Sequence, residues 1–328
     1  MTAAGPDIAD IRALRERLAG KTILTPMIRC AAIEAAIGGN TEVYAKLEFL
    51  QRTGTFKARG ALATLLALEP EQLAAGVTAV SAGNHAIATA FAAEAVGTTA
   101  KVVMTRSANP ARVDACKAYG AEVVFAADVH QAFEIAEAIQ DQEGRYFVHP
   151  FEGVPIATGT GTVGLEICEQ CSEFDAIIVP VGGGGLIAGI ANAVRRLRPA
   201  CEVIGVEPEG ADSMHRSLAC GEPVKIDAVR TIADSLGAPF AMPYSFGLCQ
   251  LHVDRLAMVD DRQLREAMGF LFSAMKIAVE PACAASTAAL FGPLKDDLSD
   301  KRIVLVMCGS NIDWATFEEH TIFDDDVD

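Results

Sequence analysis

Four short segments hold the residues whose types and spacing suit chemistry: Thr53-Gly-Thr-Phe-Lys-Ala-Arg-Gly60, Ser81-Ala-Gly-Asn-His-Ala86, Val181-Gly-Gly-Gly-Gly-Leu186 and Cys308-Gly-Ser-Asn311. The glycine run follows the apolar run AIIVPV and precedes the helical pattern LIAGIANAVRR. Four glycines let the backbone turn tightly and aim several N–H groups at one point, and the following helix adds its positive end. An ordinary strand-to-helix turn needs fewer, because each glycine costs conformational entropy. The run therefore predicts a phosphate cradle. Lys57 stands at a loop-to-helix junction beside the apolar Phe56. Taken alone it reads as a solvated helix lysine. Beside a phosphate cradle in an apolar setting it would have a lowered pKa and serve as an amine nucleophile or base. Ser81 to Ala86 joins hydroxyl, amide and imidazole groups at a helix start, which suits a carboxylate. A plain N-cap by Ser81 or Asn84 explains the same residues equally well.

Other patterns point away from chemistry. Gly159-Thr-Gly-Thr-Val-Gly164 matches the dinucleotide spacing G-x-G-x-x-G and opens a predicted helix, but FEGVPIAT separates it from the strand YFVHP. It also lacks an acidic residue about 20 positions on at a strand end, so it reads as helix-packing glycine and leaves a nicotinamide site a minor alternative. Cys168-x-x-Cys171 has no second pair, and His130, His215, His252 and His320 have no ligand spacing. Metal or redox use of these residues is not expected.

These segments need elements to position them. Strand-like runs lie at 43–47, 76–80, 101–105, 122–125, 176–181, 202–207 and 302–307. Helical patterns lie at 57–68, 84–97, 109–119, 129–142, 160–171, 186–197 and 261–276. Their alternation predicts an α/β fold with mainly parallel sheets, sites forming at the carboxyl ends of strands. The 328 residues allow one large domain or two modest ones. Strand–helix units from 77 to 151 would form a smaller sheet inserted into a larger domain of 1–76 and 152–328. A net charge of −16, with a cluster in the tail FDDDVD, disfavours nucleic-acid partners. Apolar runs are too short to span a bilayer, and the N-terminus has no secretory pattern. A cytoplasmic protein is expected, with its nine scattered cysteines reduced.

The four segments, in this order, resemble the fold-type II pyridoxal phosphate enzymes, in particular the threonine/serine dehydratase and serine racemase branch. That family reads T-G-S-F-K-x-R-G-A, S-[SA]-G-N-H, G-G-G-G-L and [SC]-G-G-N; this chain reads TGTFKARGA, SAGNHA, GGGGL and CGSN. The resemblance spans nearly the whole chain and implies two parallel-type twisted sheets flanked by helices. It implies that Lys57 carries pyridoxal 5′-phosphate as a Schiff base and later removes the substrate Cα proton. Phe56 would pack near the ring and Asn84 would bond its 3′-oxygen. Gly182, Gly183, Gly184, Gly185 and the Leu186 N–H would hold the phosphate. Ser81, Ala82, Gly83, Asn84 and His85 would surround the substrate carboxylate. Glu280 would lie near the ring. Cys308 would face the pyridine nitrogen, where a neutral thiol leaves it unprotonated and favours prompt loss of a β-leaving group. The resemblance also implies a homodimer.

Departures from the family pattern shape the expected reaction. Ala82 stands where racemases carry the serine that acts on the face opposite the lysine, so dehydration is expected over racemisation. Ser213 replaces a carboxylate in Glu207-Pro-Glu-Gly-Ala-Asp-Ser213, which leaves Glu207, the Ala211 carbonyl and Ser213 a poor set for Mg²⁺ or Ca²⁺. Thr160 replaces a glutamine and Ser235 a glycine, and both are expected to reshape the substrate pocket. The chain is expected to lack the regulatory domain of biosynthetic threonine dehydratases. The expected reaction turns a β-hydroxy amino acid of the L-threonine/L-serine type into a 2-oxo acid and ammonia, the cofactor phosphate assisting departure of the hydroxyl. A 3-hydroxyaspartate, phenylserine or hydroxyectoine-pathway substrate stays open, as do a racemase and a catalytically silent ligand-binding protein.

Overall fold

The structure is a computed structural model that describes residues 4–322; the acidic tail FDDDVD lies outside the described residues. Ten strands among the described residues form two sheets. The larger has the order β1-β2-β10-β7-β8-β9 and the smaller β5-β4-β3-β6. Their ranges are β1 Met27–Arg29, β2 Glu42–Leu47, β3 Val77–Val80, β4 Ala100–Thr105, β5 Glu122–Ala126, β6 Tyr146–Phe147, β7 Ala176–Pro180, β8 Glu202–Pro208, β9 Arg255–Val259 and β10 Arg302–Met307. All neighbours pair in parallel except β1 with β2. Every residue of β7 is buried, the two-sided burial that makes AIIVP a continuous apolar run. The seven strands expected from sequence are all present. The further three lie at sheet edges: β6 occupies only the start of the run YFVHP also read as a strand, and β1 and β9, short or half-exposed, carry little pattern.

Helices α1 Ile8–Arg17, α2 Ala31–Ile37, α3 Lys57–Leu66 and α4 Pro70–Ala75 precede the smaller sheet. Within and after it come α5 Asn84–Val96, α6 Pro110–Ala118, α7 Val129–Glu143, α8 Val154–Gln170 and α9 Gly185–Leu197. The rest are α10 Ser213–Cys220, α11 Pro243–His252, α12 Asp261–Met275, α13 Pro281–Phe291 and α14 Trp314–Thr321. One expectation is corrected. Gly159 to Gly164 does not open a helix but lies inside α8, which begins at Val154 with proline in its first turn, where a missing N–H costs nothing. A Cβ on Gly159 would come within 2.7 Å of the Arg59 carbonyl, and one on Gly164 within 2.9 Å of the Ile190 carbonyl. These glycines let α8 pack backbone to backbone against α3 and α9.

Behind α3 lies a buried ionic quartet. Arg59 pairs with Glu48 at 2.8 Å and Glu166 at 2.6 Å, and Lys46 pairs with Glu166 at 2.6 Å. Thr25, Thr162 and Gln170 complete the hydrogen bonding. Two cations and two carboxylates balance, so burial leaves no net charge. The quartet ties α3 to β2 and α8, and so fixes the helix whose first residue is Lys57. Residues of α3, among them Ala58, Leu62 and Leu65, also enter the hydrophobic core around the smaller sheet.

Candidate active site

The carboxyl ends of β3, β6, β7 and β10 converge on one cavity of about 390 Å³. Each end delivers a segment: Ser81 to His85 after β3, His149 to Phe151 after β6, the glycine run after β7 and Cys308 after β10. Lys57 enters from the first turn of α3. Phe56, Leu186, Ser235 and Glu280 also line the cavity.

Lys57 Nζ donates a 2.6 Å hydrogen bond to the Pro150 carbonyl and lies 5.1 Å from the Phe56 ring centroid. Burial pulls its pKa down to about 8, against the opposing pull of Cys308 and Glu280. The amine can therefore be neutral near physiological pH, as a nucleophile or base must be.

The glycine run packs too tightly for side chains. A Cβ on Gly183 would meet the Phe151 ring at 2.3 Å, and one on Gly185 the Phe151 carbonyl at 2.6 Å. Gly184 has φ +87°, in the left-handed region that favours glycine, and starts α9. The first turn of α9 presents the N–H groups of Gly185 and Leu186 without intrahelical acceptors. This arrangement can bind a phosphate. Thr160 does not line the cavity as expected; its hydroxyl donates to the Gly185 carbonyl at 2.8 Å, behind the loop.

Ser81 and Asn84 do not cap α5: Gly83 is the N-cap and no side chain caps the helix. Ser81 Oγ instead accepts the Gly83 N–H at 3.1 Å, which shapes the loop. Asn84 Nδ2 donates to Glu280 Oε1 at 2.7 Å and to Ser235 Oγ at 3.2 Å, while its Oδ1 accepts from Asn311 Nδ2 at 2.7 Å. His85 Nε2 donates to the Val148 carbonyl at 2.8 Å, and burial, with the nearby Lys57 charge, lowers its pKa to about 3. Glu280 is buried, which raises its pKa to about 7, opposed by Arg112. Its Oε2 is buried without a hydrogen-bond partner among the described residues, Arg112 being 3.9 Å away. Arg112, on α6, bonds Asp234 at 2.6 Å and so links the two sheets' elements beside the cavity. Cys308 contacts Cys283; that hydrogen bond and burial push its pKa well above the usual thiol value, so the thiol is neutral.

The Glu207 set lies outside the cavity lining. Glu207 accepts the Met214 and His215 N–H groups at 2.8 and 2.6 Å, closing the start of α10, and Ser213 Oγ is buried without a partner among the described residues. No group of three or more His, Cys, Asp or Glu side chains gathers to hold a metal among the described residues. All nine cysteines are unpaired. No described helix is long and apolar enough to cross a membrane.

With YFVHP taken whole as a strand and FEGVPIAT as a spacer, no residue between 148 and 151 was expected in the site, yet β6 ends at Phe147 and the chain after it enters the cavity. Val148, Pro150 and Phe151 meet His85, Lys57 and the glycine run respectively. The signal available was the segment's place after a strand. An aromatic wall was not expected either. Phe133 packs on Phe147 at 6.4 Å, Phe147 on His149 at 6.3 Å, His149 on Phe151 at 4.6 Å and Phe151 on Phe240 at 6.0 Å between ring centroids. Val129 and Phe133, one turn apart on α7, are 60% and 39% exposed and both line the cavity.

A family model described as pyridoxal-phosphate dependent enzyme matches residues 20–309. The chain is 53% identical to a phenylserine dehydratase of Ralstonia pickettii, over 96% of each chain. It is 35% identical to an L-threonine ammonia-lyase of Thermotoga maritima, over 93% of this chain and 76% of that one. The solved structure of maize serine racemase superposes with a TM-score of 0.91 at 34% identity, covering 97% of both chains.

Proposed function

Because this chain belongs to the pyridoxal-phosphate dependent enzyme family, we propose that it is an ammonia-lyase that dehydrates an aryl β-hydroxy amino acid, phenylserine, to its 2-oxo acid and ammonia. The broader class, a pyridoxal-phosphate dependent dehydratase of β-hydroxy amino acids, is shared with its dehydratase and ammonia-lyase relatives. The aromatic wall carries the aryl reading. Val129, Phe133, Phe151 and Phe240 offer apolar surface to a side chain beyond the reacting carbon. Fully burying a phenyl-sized group stabilises it by about 1.5–3 kcal/mol. A β-carboxylate finds no such match. Among the described residues lining the cavity, Lys57 is the only Lys or Arg, and Asp234 and Glu280 are acidic.

The cavity fits pyridoxal phosphate on three observations. The glycine run has no room for a Cβ yet offers helix-start N–H groups, Lys57 is a buried amine with a lowered pKa, and the buried Oε2 of Glu280 has no hydrogen-bond partner among the described residues. Gly182 to Leu186 would hold the phosphate, Lys57 the aldehyde carbon, Asn84 the ring oxygen, and Phe56, Glu280 and Cys308 the ring. The chemistry that the cofactor supplies when bound is electron withdrawal from the substrate's Cα, which acidifies its proton. Lys57 takes that proton at Nζ. Ser81 to His85 receives the substrate carboxylate, where the first turn of α5 leaves the Asn84 and His85 N–H groups free of intrahelical acceptors. The neutral Cys308 thiol keeps no positive charge beside the ring. The aromatic side chains exclude water from the β-substituent.

The smaller sheet with its flanking helices, residues 77–151, would act as the unit carrying the carboxylate loop. A homodimer in the cytoplasm completes the reading; light scattering of the holoenzyme and cell fractionation test those two points. The deciding test of function is a substrate panel: phenylserine, L-threonine, L-serine and 3-hydroxyaspartate isomers scored for 2-oxo acid release. The highest kcat/KM should belong to phenylserine. A preference for 3-hydroxyaspartate or L-threonine defeats the aryl reading, and inactivity on every substrate defeats the dehydratase reading.

A further inference from the structure

We propose that His149 binds the β-oxygen of the substrate through its Nε2–H, acting as a neutral hydrogen-bond donor that helps this oxygen to leave. The inference rests on the reading of the substrate as a β-hydroxy amino acid.

Backbone hydrogen bonds fix the ring's tautomer. His149 Nδ1 accepts the N–H groups of Phe151 at 3.3 Å and Glu152 at 3.0 Å. A nitrogen that accepts carries no proton, so in the neutral ring the proton sits on Nε2. Burial lowers the ring's pKa to about 4, with the Lys57 charge adding to the effect against Glu152, so the ring is neutral under ordinary conditions. Phe147 and Phe151 pack against it edge-on and hold its plane. Nε2 has no protein partner among the described residues, and His149 lines the cavity. Its chain neighbour Pro150 holds the amine of Lys57, which places the ring beside the Cα base.

The other donors of the cavity are engaged. Asn84 Nδ2 faces Glu280 and Ser235, and in the holoenzyme it would be taken by the cofactor's ring oxygen. His85 Nε2 serves Val148. Ser235 Oγ donates to Asp234 Oδ1 at 3.3 Å. Ser81 belongs to the loop assigned to the carboxylate. His149 is thus the free donor that also adjoins the aromatic wall, where the β-substituent lies. A fixed donor aimed at an oxygen on which negative charge develops gains strength as the Cβ–O bond lengthens, and it needs no reorganisation to do so. The electron pair of the breaking Cβ–O bond leaves on the oxygen, which departs as hydroxide and takes its proton from solvent, so the ring itself neither gains nor loses a proton.

The test uses the leaving group. The holoenzyme, His149→Phe and His149→Gln are assayed on phenylserine and on β-chloro-L-alanine, whose chloride departs without a hydrogen-bond donor. His149→Phe keeps the ring's shape and removes the donor. It should lower kcat for phenylserine by about 100-fold, as loss of one such donor does elsewhere, and leave kcat for chloride elimination nearly unchanged. His149→Gln, which restores an N–H, should recover part of the loss. Equal losses on both substrates, or no loss with His149→Phe, would overturn the proposal. If the wild-type enzyme ignores phenylserine but dehydrates L-threonine, only the aryl reading fails, and the same comparison made with L-threonine decides the role of His149. If it eliminates chloride but dehydrates no β-hydroxy amino acid, both readings fall.

Discussion

The amine of Lys57 donates its hydrogen bond to the carbonyl of Pro150, 93 residues further along the chain. That contact joins the start of α3 to the segment after β6, on the backbone that links His149 to Phe151. With the pKa held near 8, the amine is a usable base at mildly alkaline pH. Lys57→Ala removes both the cofactor's point of attachment and the Cα base. Turnover should fall by at least about 10⁴-fold, the upper range for a positioned acid/base. The visible absorption of the bound cofactor that borohydride abolishes in the wild type should be missing.

The substrate's aryl group has a testable seat on α7. Phe133→Ala removes one ring of the wall without touching Lys57 or the glycine run. The kcat/KM for phenylserine should drop by about 10-fold or more, the effect of losing apolar contacts worth 1–3 kcal/mol, with that for L-threonine unchanged. A parallel loss on both substrates would show that Phe133 supports the fold and not the choice of substrate.

Arg59 lies two residues past Lys57 and is held by Glu48 and Glu166 in the buried quartet. Arg59→Met leaves two carboxylates facing one lysine in the interior. Removing one partner from a buried ion pair costs about 3–5 kcal/mol. Denaturant titration should show that loss as a lower midpoint.

Acid should weaken the fold through its neutral histidines. His85 titrates near 3 and His149 near 4 in the folded chain, below the usual 6.5 that the unfolded chain would show. Between those values the unfolded state binds more protons, so stability rises with pH across the window and is lost as pH falls from 6.5 toward 4. Each ring contributes a slope of about 1.4 kcal/mol per pH unit. His85→Gln should flatten the stability profile there and leave it unchanged above pH 7, as thermal melts at stepped pH would reveal.

Ala82 lines the cavity as a bare methyl group. With no acid/base at that position, L-serine should give 2-oxo acid and no D-serine. Ala82→Ser should bring measurable D-serine, read by chiral chromatography. Rapid D-serine formation by the wild type would contradict this account.

The sequence by itself determined the parts of the site that are backbone requirements or single reactive groups. Four glycines after a buried strand, a lysine at a helix start and an Asn-His pair after another strand are local features, and each chemical need restricts the residues that can meet it. The strands β7, β8 and β10 were legible because burial on both faces demands unbroken apolar runs. The tertiary structure alone decided the rest. The aromatic wall draws Phe133 from α7, Phe151 from the segment after β6 and Phe240 from a loop before α11. No spacing along the chain links them, because only the packing of the two sheets brings those segments together. The tautomer of His149 depends on two backbone N–H groups whose direction follows from the turn after β6. The helix opened at Val154 and not at the glycine pattern, since those glycines serve contact with α3 and α9. Periodicity cannot report such close approach, because it reads one helix and the approach belongs to three.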